Sequence, residues 1–140
     1  MNENDLAWTT DPYAAAMAMS EKDLSEPIGM LNLLKFRERA DYGPGSDETP
    51  CSGAAAYARY VQHVTPILDS IGAQIILSGY LWMLGEAADW DRAFVVKYKS
   101  ASDLLALPQR PDYQRIAHHR NAALADTKLL MMDFDASAFS

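Results

Sequence analysis

The stretch QIILSGYLWMLGEAADWDRAFVVKYK, residues 74–99, decides how the rest of the chain is read. Two arms, 74–84 and 90–99, are filled with Ile, Val, Leu, Tyr, Phe and Trp, which suit a pleated, half-buried surface. Gly85, Asp89 and Asp91 break the run between them, so the stretch reads as a β-hairpin. The first arm alternates Ile75, Leu77, Gly79, Leu81 and Met83 against Gln74, Ile76, Ser78, Tyr80, Trp82 and Leu84. The second alternates Phe94, Val96 and Tyr98 against Ala93, Val95, Lys97 and Lys99.

Outward from the hairpin, a helical pattern lies on each side. Before it, residues 53–71 carry Tyr57, Tyr60, Val61, Val64, Leu68 and Ile71 at helical spacing. Ser52 is placed to cap this helix, Gly72 to stop it, and Pro66 falls inside it on the outward side. After the hairpin come a short helix over 100–107, ended by Pro108, and a second over 111–124 with Pro111 in its first turn. Beyond the helices lie two runs, IGMLNLLKF (28–36) and TKLLMMDF (127–134), each apolar on both sides.

The order is thus β-α-β-β-α-β. With right-handed crossovers this predicts a ferredoxin-like α+β fold, a four-stranded antiparallel sheet with both helices on one face. Strands apolar on both sides leave the other face unfit for water. The expected remedy is a second copy packed sheet to sheet, a homodimeric α+β barrel.

The chain has 140 residues, a formal net charge of −7 and 49% apolar residues. That suits one folded domain rather than a disordered chain. Residues 1–26 read as an acidic extension with a short helix beginning at Asp11-Pro12, residues 27–135 as the domain, and 136–140 as a frayed end. Six acids against one base lie before residue 28, a net of −5 that leaves only −2 for the remainder. Negative charge argues against nucleic acid or an anionic membrane surface as partner. The single cysteine, Cys51, excludes an internal disulfide and fits a reducing compartment. No apolar run is long enough to span a membrane and no signal peptide is read, so the expected location is the cytoplasm.

In its details the sequence resembles the domain-of-unknown-function 1330 family of the dimeric α+β-barrel superfamily. MLNLLKF (30–36), AYARYVQHVTPIL (56–68), Gly72 with its following strand, and PDYQRIAHHRNAALADTKLLMMD (111–133) carry the likeness. The resemblance implies fold and dimer; it brings no activity. Related barrels include cofactor-free monooxygenases, lactone isomerases and haem enzymes, and fold alone does not choose among them.

Several residues stand out chemically. Arg120 falls near the centre of the inward stripe formed by Tyr113, Ile116, Ala117 and Leu124. A buried guanidinium needs partners. The structural reading, which ranks first, pairs it with Asp133, Asp103 or strand carbonyls; the functional reading has it anchor a carboxylate or another anionic group of a ligand. Asn32 is polar within an apolar strand, suited to a ligand carbonyl or equally to a neighbouring backbone group. His63 flanks the first helix near Tyr60, where a proton-transfer group would be useful, although such histidines are more often on the surface. Tyr57, Tyr60, Tyr80, Trp82 and Tyr98 form an aromatic set, either core and dimer packing or a pocket for an aromatic or polyketide-like substrate. His118 and His119 are adjacent and diverge by about 100° on a helix, so they are not expected to chelate one metal. No metal site and no cofactor are expected, and the 37–52 loop is left as a lid or a mobile segment.

The leading functional expectation is a small organic ligand between helices and sheet, held by Arg120, Tyr60, Tyr80 and Trp82. As an enzyme the protein would be a cofactor-independent oxygenase or isomerase, with His63 moving a proton and Asn32 polarising a carbonyl. The competing expectation is a non-catalytic dimeric scaffold whose polar core groups are structural.

Overall fold

The computed structural model describes residues 23–80 and 89–133. Its elements in chain order are β1 (Ile28–Phe36), α1 (Gly53–Ser70), β2 (Gln74–Tyr80), β3 (Arg92–Tyr98), α2 (Ala101–Ala106), a 3-10 turn (Leu107–Gln109), α3 (Pro111–Gln114), α4 (Ala117–Ala123) and β4 (Leu124–Asp133). The sheet order is β2-β3-β1-β4, and every neighbouring pair is antiparallel. This is the ferredoxin-like arrangement expected from the sequence. The expected 1–26 extension and the hairpin turn fall largely outside the described residues.

Alternation along β1 sorts its two faces. Ile28, Met30, Asn32 and Leu34 are buried, facing the helices, whereas Leu31 and Leu33 on the other face are half-buried. The core on the helix side has two parts. Leu34, Tyr57, Tyr60, Val64, Ile67, Leu107, Tyr113 and Leu124 fill one, and Ile28, Met30, Val96, Tyr98 and Leu104 the other.

α1 begins and ends as its sequence dictates. The Ser52 hydroxyl accepts the Ala55 N–H at 3.0 Å, which satisfies one of the free donors of the first turn. At the far end Gly72 adopts φ +71°, and Ala73 and Gly72 donate back to Leu68 and Asp69 at 2.9 and 3.1 Å, a Schellman closure. Gly53 marks a close crossing: its N–H donates to the Arg37 carbonyl, and Arg37 in turn donates to the Ala123 carbonyl. A β-carbon on Gly53 would collide with the Arg37 backbone.

Three expectations need correction. The 111–124 helix is interrupted: at Arg115 and Ile116 the bonding tightens to Ile116 N–H on Tyr113 and His119 N–H on Ile116, separating α3 from α4. β4 starts at Leu124 rather than Thr127, because the chain passes directly from α4 into the sheet, with a register shift against Lys35 and Phe36. In β2 the strict alternation fails. A bulge at Ile76 pairs Ile75 with Val96 and Leu77 with Val95. Ile75 therefore shares the helix side with Ser78, and Leu77 turns to the open face. One extra residue in a strand exchanges the faces of everything after it.

The open face is largely apolar, with Lys35, Lys97 and Lys128 among its residues. Leu77 is 71% exposed, Leu130 48% and Met132 43%, beside Leu31, Leu33 and Val95 of the inner strands. No helix among the described residues is long and apolar enough to cross a membrane.

Candidate functional site

Between α1 and the sheet lies a cavity of about 70 Å³, counted as the room open to the centres of water molecules. At about 10–15 Å³ per water by that measure, it has space for several waters. Val61, Val64 and Leu68 of α1 make its wall, and Phe94 and Val96 of β3 its floor. Thr65, Ile75 and Ser78 at the rim are exposed, so the cavity opens along the β2 edge.

The polar lining is Asn32, Tyr57, Tyr60, Ser78, Arg92, Tyr98 and Arg120, with Thr65 at the rim; it contains no carboxylate. Each reaches the cavity through a local cause. Asn32, Arg92 and Tyr98 alternate onto the helix face of β1 and β3. Arg120 lies on the buried side of α4, only 4% exposed. Its Nη2 donates to the Thr127 hydroxyl at 3.3 Å, and that hydroxyl donates to the Leu33 carbonyl at 3.0 Å. The sequence offered Asp133, Asp103 or strand carbonyls as its partners; a threonine hydroxyl stands between the guanidinium and such a carbonyl. Arg92 Nη2 donates to Ser78 Oγ at 3.0 Å. Asn32 Nδ2 donates to the Met30 carbonyl at 3.1 Å.

The phenols pack against one another, tilted or edge to face. Tyr57 and Tyr60 have ring centroids 5.3 Å apart. The Tyr60 and Tyr113 hydroxyls are 3.1 Å apart, with their rings perpendicular. Burial pushes Tyr57, Tyr60 and Tyr98 above the ordinary phenol range, and the Arg120 charge only partly offsets this. At neutral pH they are hydrogen-bonding hydroxyls, not bases.

Of the residues singled out in the sequence, Asn32, Tyr57, Tyr60, Tyr98 and Arg120 come together here. The Tyr80 backbone pairs with Arg92; its side chain and all of Trp82 lie outside the described residues. His63 is exposed and absent from the cavity lining, with its ring stacked on His119 at 5.7 Å. Arg92 and Ser78 were missed. Carrying the Phe94, Val96, Tyr98 alternation two residues back would have found Arg92; Ser78 was hidden by the bulge.

A second cluster sits on the other side of α4, against the 37–52 loop. His119 is buried, and its Nδ1 is 2.7 Å from the Tyr42 hydroxyl. His118 Nε2 is 3.0 Å from Glu48 Oε1. Burial holds His119 below the ordinary histidine range, and the His118 hydrogen bond does the same for the Glu48 carboxyl. The expected divergence of the two adjacent histidines is not found. Their ring centroids are 4.1 Å apart, because both side chains lean toward partners on the same loop.

The profile of the domain of unknown function DUF1330 matches residues 50–134. The chain belongs to the DUF1330 family. The DUF1330 match begins just before the α1 cap and runs past β4, so it takes in Tyr57, Tyr60, Arg92 and Arg120. It leaves out β1 with Asn32, and the part of the loop with Tyr42 and Glu48. Among curated proteins no sequence match is found. The structure of the methylated RPA0582 protein is similar over 89% of this chain and 93% of its own, at 26% identity and a TM-score of 0.77. A second structure of RPA0582, a protein of unknown function from Rhodopseudomonas palustris, gives 29% identity and a TM-score of 0.74 over 87% and 92% of the two chains. A hydroxynitrile lyase from Passiflora edulis, at 12% identity and a TM-score of 0.52 over 81% and 97%, shares the fold alone.

Proposed function

We propose that this DUF1330 protein binds a small anionic organic molecule, an aromatic carboxylate in size and charge, in the cavity between α1 and the sheet. The observation that carries this reading is the lining: two guanidiniums, three phenols, an amide and two aliphatic hydroxyls in a cleft otherwise apolar, with no carboxylate among them. A guanidinium presents paired donors that match a carboxylate, and aromatic walls suit a flat ligand.

The lining supports binding more than turnover. The neutral phenols, the amide and the guanidiniums donate, but none of them is a base at neutral pH. They would steady an oxyanion that forms on a substrate. An oxygenase or isomerase built on them therefore needs a substrate that ionises readily by itself.

The test is a thermal-shift and NMR titration with aromatic carboxylates and their neutral amides. The acids should raise the melting temperature, since a ligand of the native state stabilises it. The amides should not, and Arg120→Met should remove the effect while remaining folded. Equal binding of acid and amide, or an unaltered response in Arg120→Met, would refute the assignment.

The same reading includes a second copy on the open face. Leu77, Leu130 and Met132 form an exposed apolar surface that a monomer would have to leave in water. Sedimentation at micromolar concentration should give a dimer, and Leu130→Glu should shift it to monomer. A monomer in the unmutated protein would refute the pairing.

A further inference from the structure

We propose that Glu48, His118 and His119 form a site for a divalent transition-metal ion, with zinc the best match. One donor atom from each of the three lies within 4.8 Å of the others. Around a tetrahedral zinc with bonds of about 2.0–2.1 Å, ligand atoms stand roughly 3.3–3.5 Å apart, so a small contraction completes the site. Glu48 Oε1 and His118 Nε2 are already 3.0 Å apart; the ion takes the place of the proton between them.

Two features show that the three ligands are held rather than merely close. The first is orientation of the buried ligand. The Tyr42 hydroxyl, 2.7 Å from His119 Nδ1, is the kind of outer partner that fixes a ligating imidazole. His63 lies nearly parallel to the same ring, 18° between planes, on another side. The second is anchoring of the loop that brings Glu48. Asp41 N–H donates to the Ala122 carbonyl on α4, and Ala40 N–H to the Cys51 carbonyl, each at 2.9 Å. Arg59 sits 3.8 Å from Glu48, on Oε2, while Oε1 faces His118. The carboxylate thus serves both without giving up the inward oxygen.

Two imidazoles and one carboxylate favour a borderline ion over magnesium or calcium, which prefer all-oxygen shells. Three protein ligands leave a position open to water. None of the three lines the α1–sheet cavity, so this site stands or falls independently of the anion reading.

The test uses the full chain, stripped with a chelator and titrated with zinc by calorimetry in competition with a chromophoric chelator. One equivalent should bind. Glu48→Gln and His118→Ala, at partly exposed positions, should each weaken binding at least tenfold while leaving the circular dichroism unchanged. Cobalt(II) should give the intense visible absorption of a four-coordinate ion, lost in both variants. Arg120→Met should bind zinc normally. No stoichiometric binding, or affinity unchanged in both variants, overturns the proposal.

Discussion

At the scale of single residues, Gly53 is the position with least freedom. It lies where the end of β1, the start of α1 and the end of α4 meet, joined by the Gly53–Arg37 and Arg37–Ala123 backbone bonds. Any β-carbon there meets the backbone of Arg37 and Ala123 rather than a side chain that can swing away. Gly53→Ala should therefore lower stability by about 1–3 kcal/mol, the range for overpacking a tight interior. Urea denaturation checks it; a change below about 0.5 kcal/mol, ordinary for a surface site, would show that the crossing yields. Arg120 was legible at this scale because a cation on an apolar helical stripe is conspicuous in any sequence. Glu48 and Tyr42 were not. They lie in a loop without periodicity, and only the folded loop brings them to His118 and His119.

At the scale of elements, α1 illustrates what pattern reading captures. Its start, stop, cap and internal proline all sit where the sequence places them, because each depends on neighbours within a few residues. Pro66 is exposed on the outward face. It lacks the N–H that would bond the Gln62 carbonyl. Pro66→Ala should stabilise the fold by on the order of 1 kcal/mol. The gain is smaller than the propensity gap of about 3 kcal/mol because the unfolded chain also gains freedom. Chemical denaturation would decide it, and a loss of stability would mean that the ring packs usefully where it is. The elements that departed from expectation did so for non-local reasons. The Ile76 bulge depends on pairing with β3, and no hydrophobic period reports an unpaired residue. The break at Arg115 and Ile116 contains neither glycine nor proline, so nothing in composition marks it.

At the scale of the whole molecule, the buried phenols link the interior to solution pH. Tyr57, Tyr60 and Tyr98 are all held above the usual phenol value of 10.0, chiefly by burial. As pH rises through about 10, the unfolded chain releases these protons while the native state keeps them. Stability therefore falls with rising pH in that window. An alkaline titration followed at the tyrosinate absorption band should show these groups ionising together with the loss of near-ultraviolet circular dichroism. Ionisation of all tyrosines before any loss of structure would contradict their burial. The sheet topology was readable in advance because it follows from element order and handedness, whereas the cavity was readable only in part, since the face on which Ser78 falls depends on the bulge in β2.

The alternation of β1 has a consequence for how such a chain can change over generations. Asn32 looks toward the cavity while its neighbours Leu31 and Leu33 look away from it. Both surfaces are written on one strand, in a frame of two. Inserting or deleting a single residue upstream of Asn32, with the pairing kept, would turn the amide outward and a leucine inward. Cavity lining and outer wall would be spoiled by one event. Substitutions can tune either surface separately, but the length of this strand cannot drift.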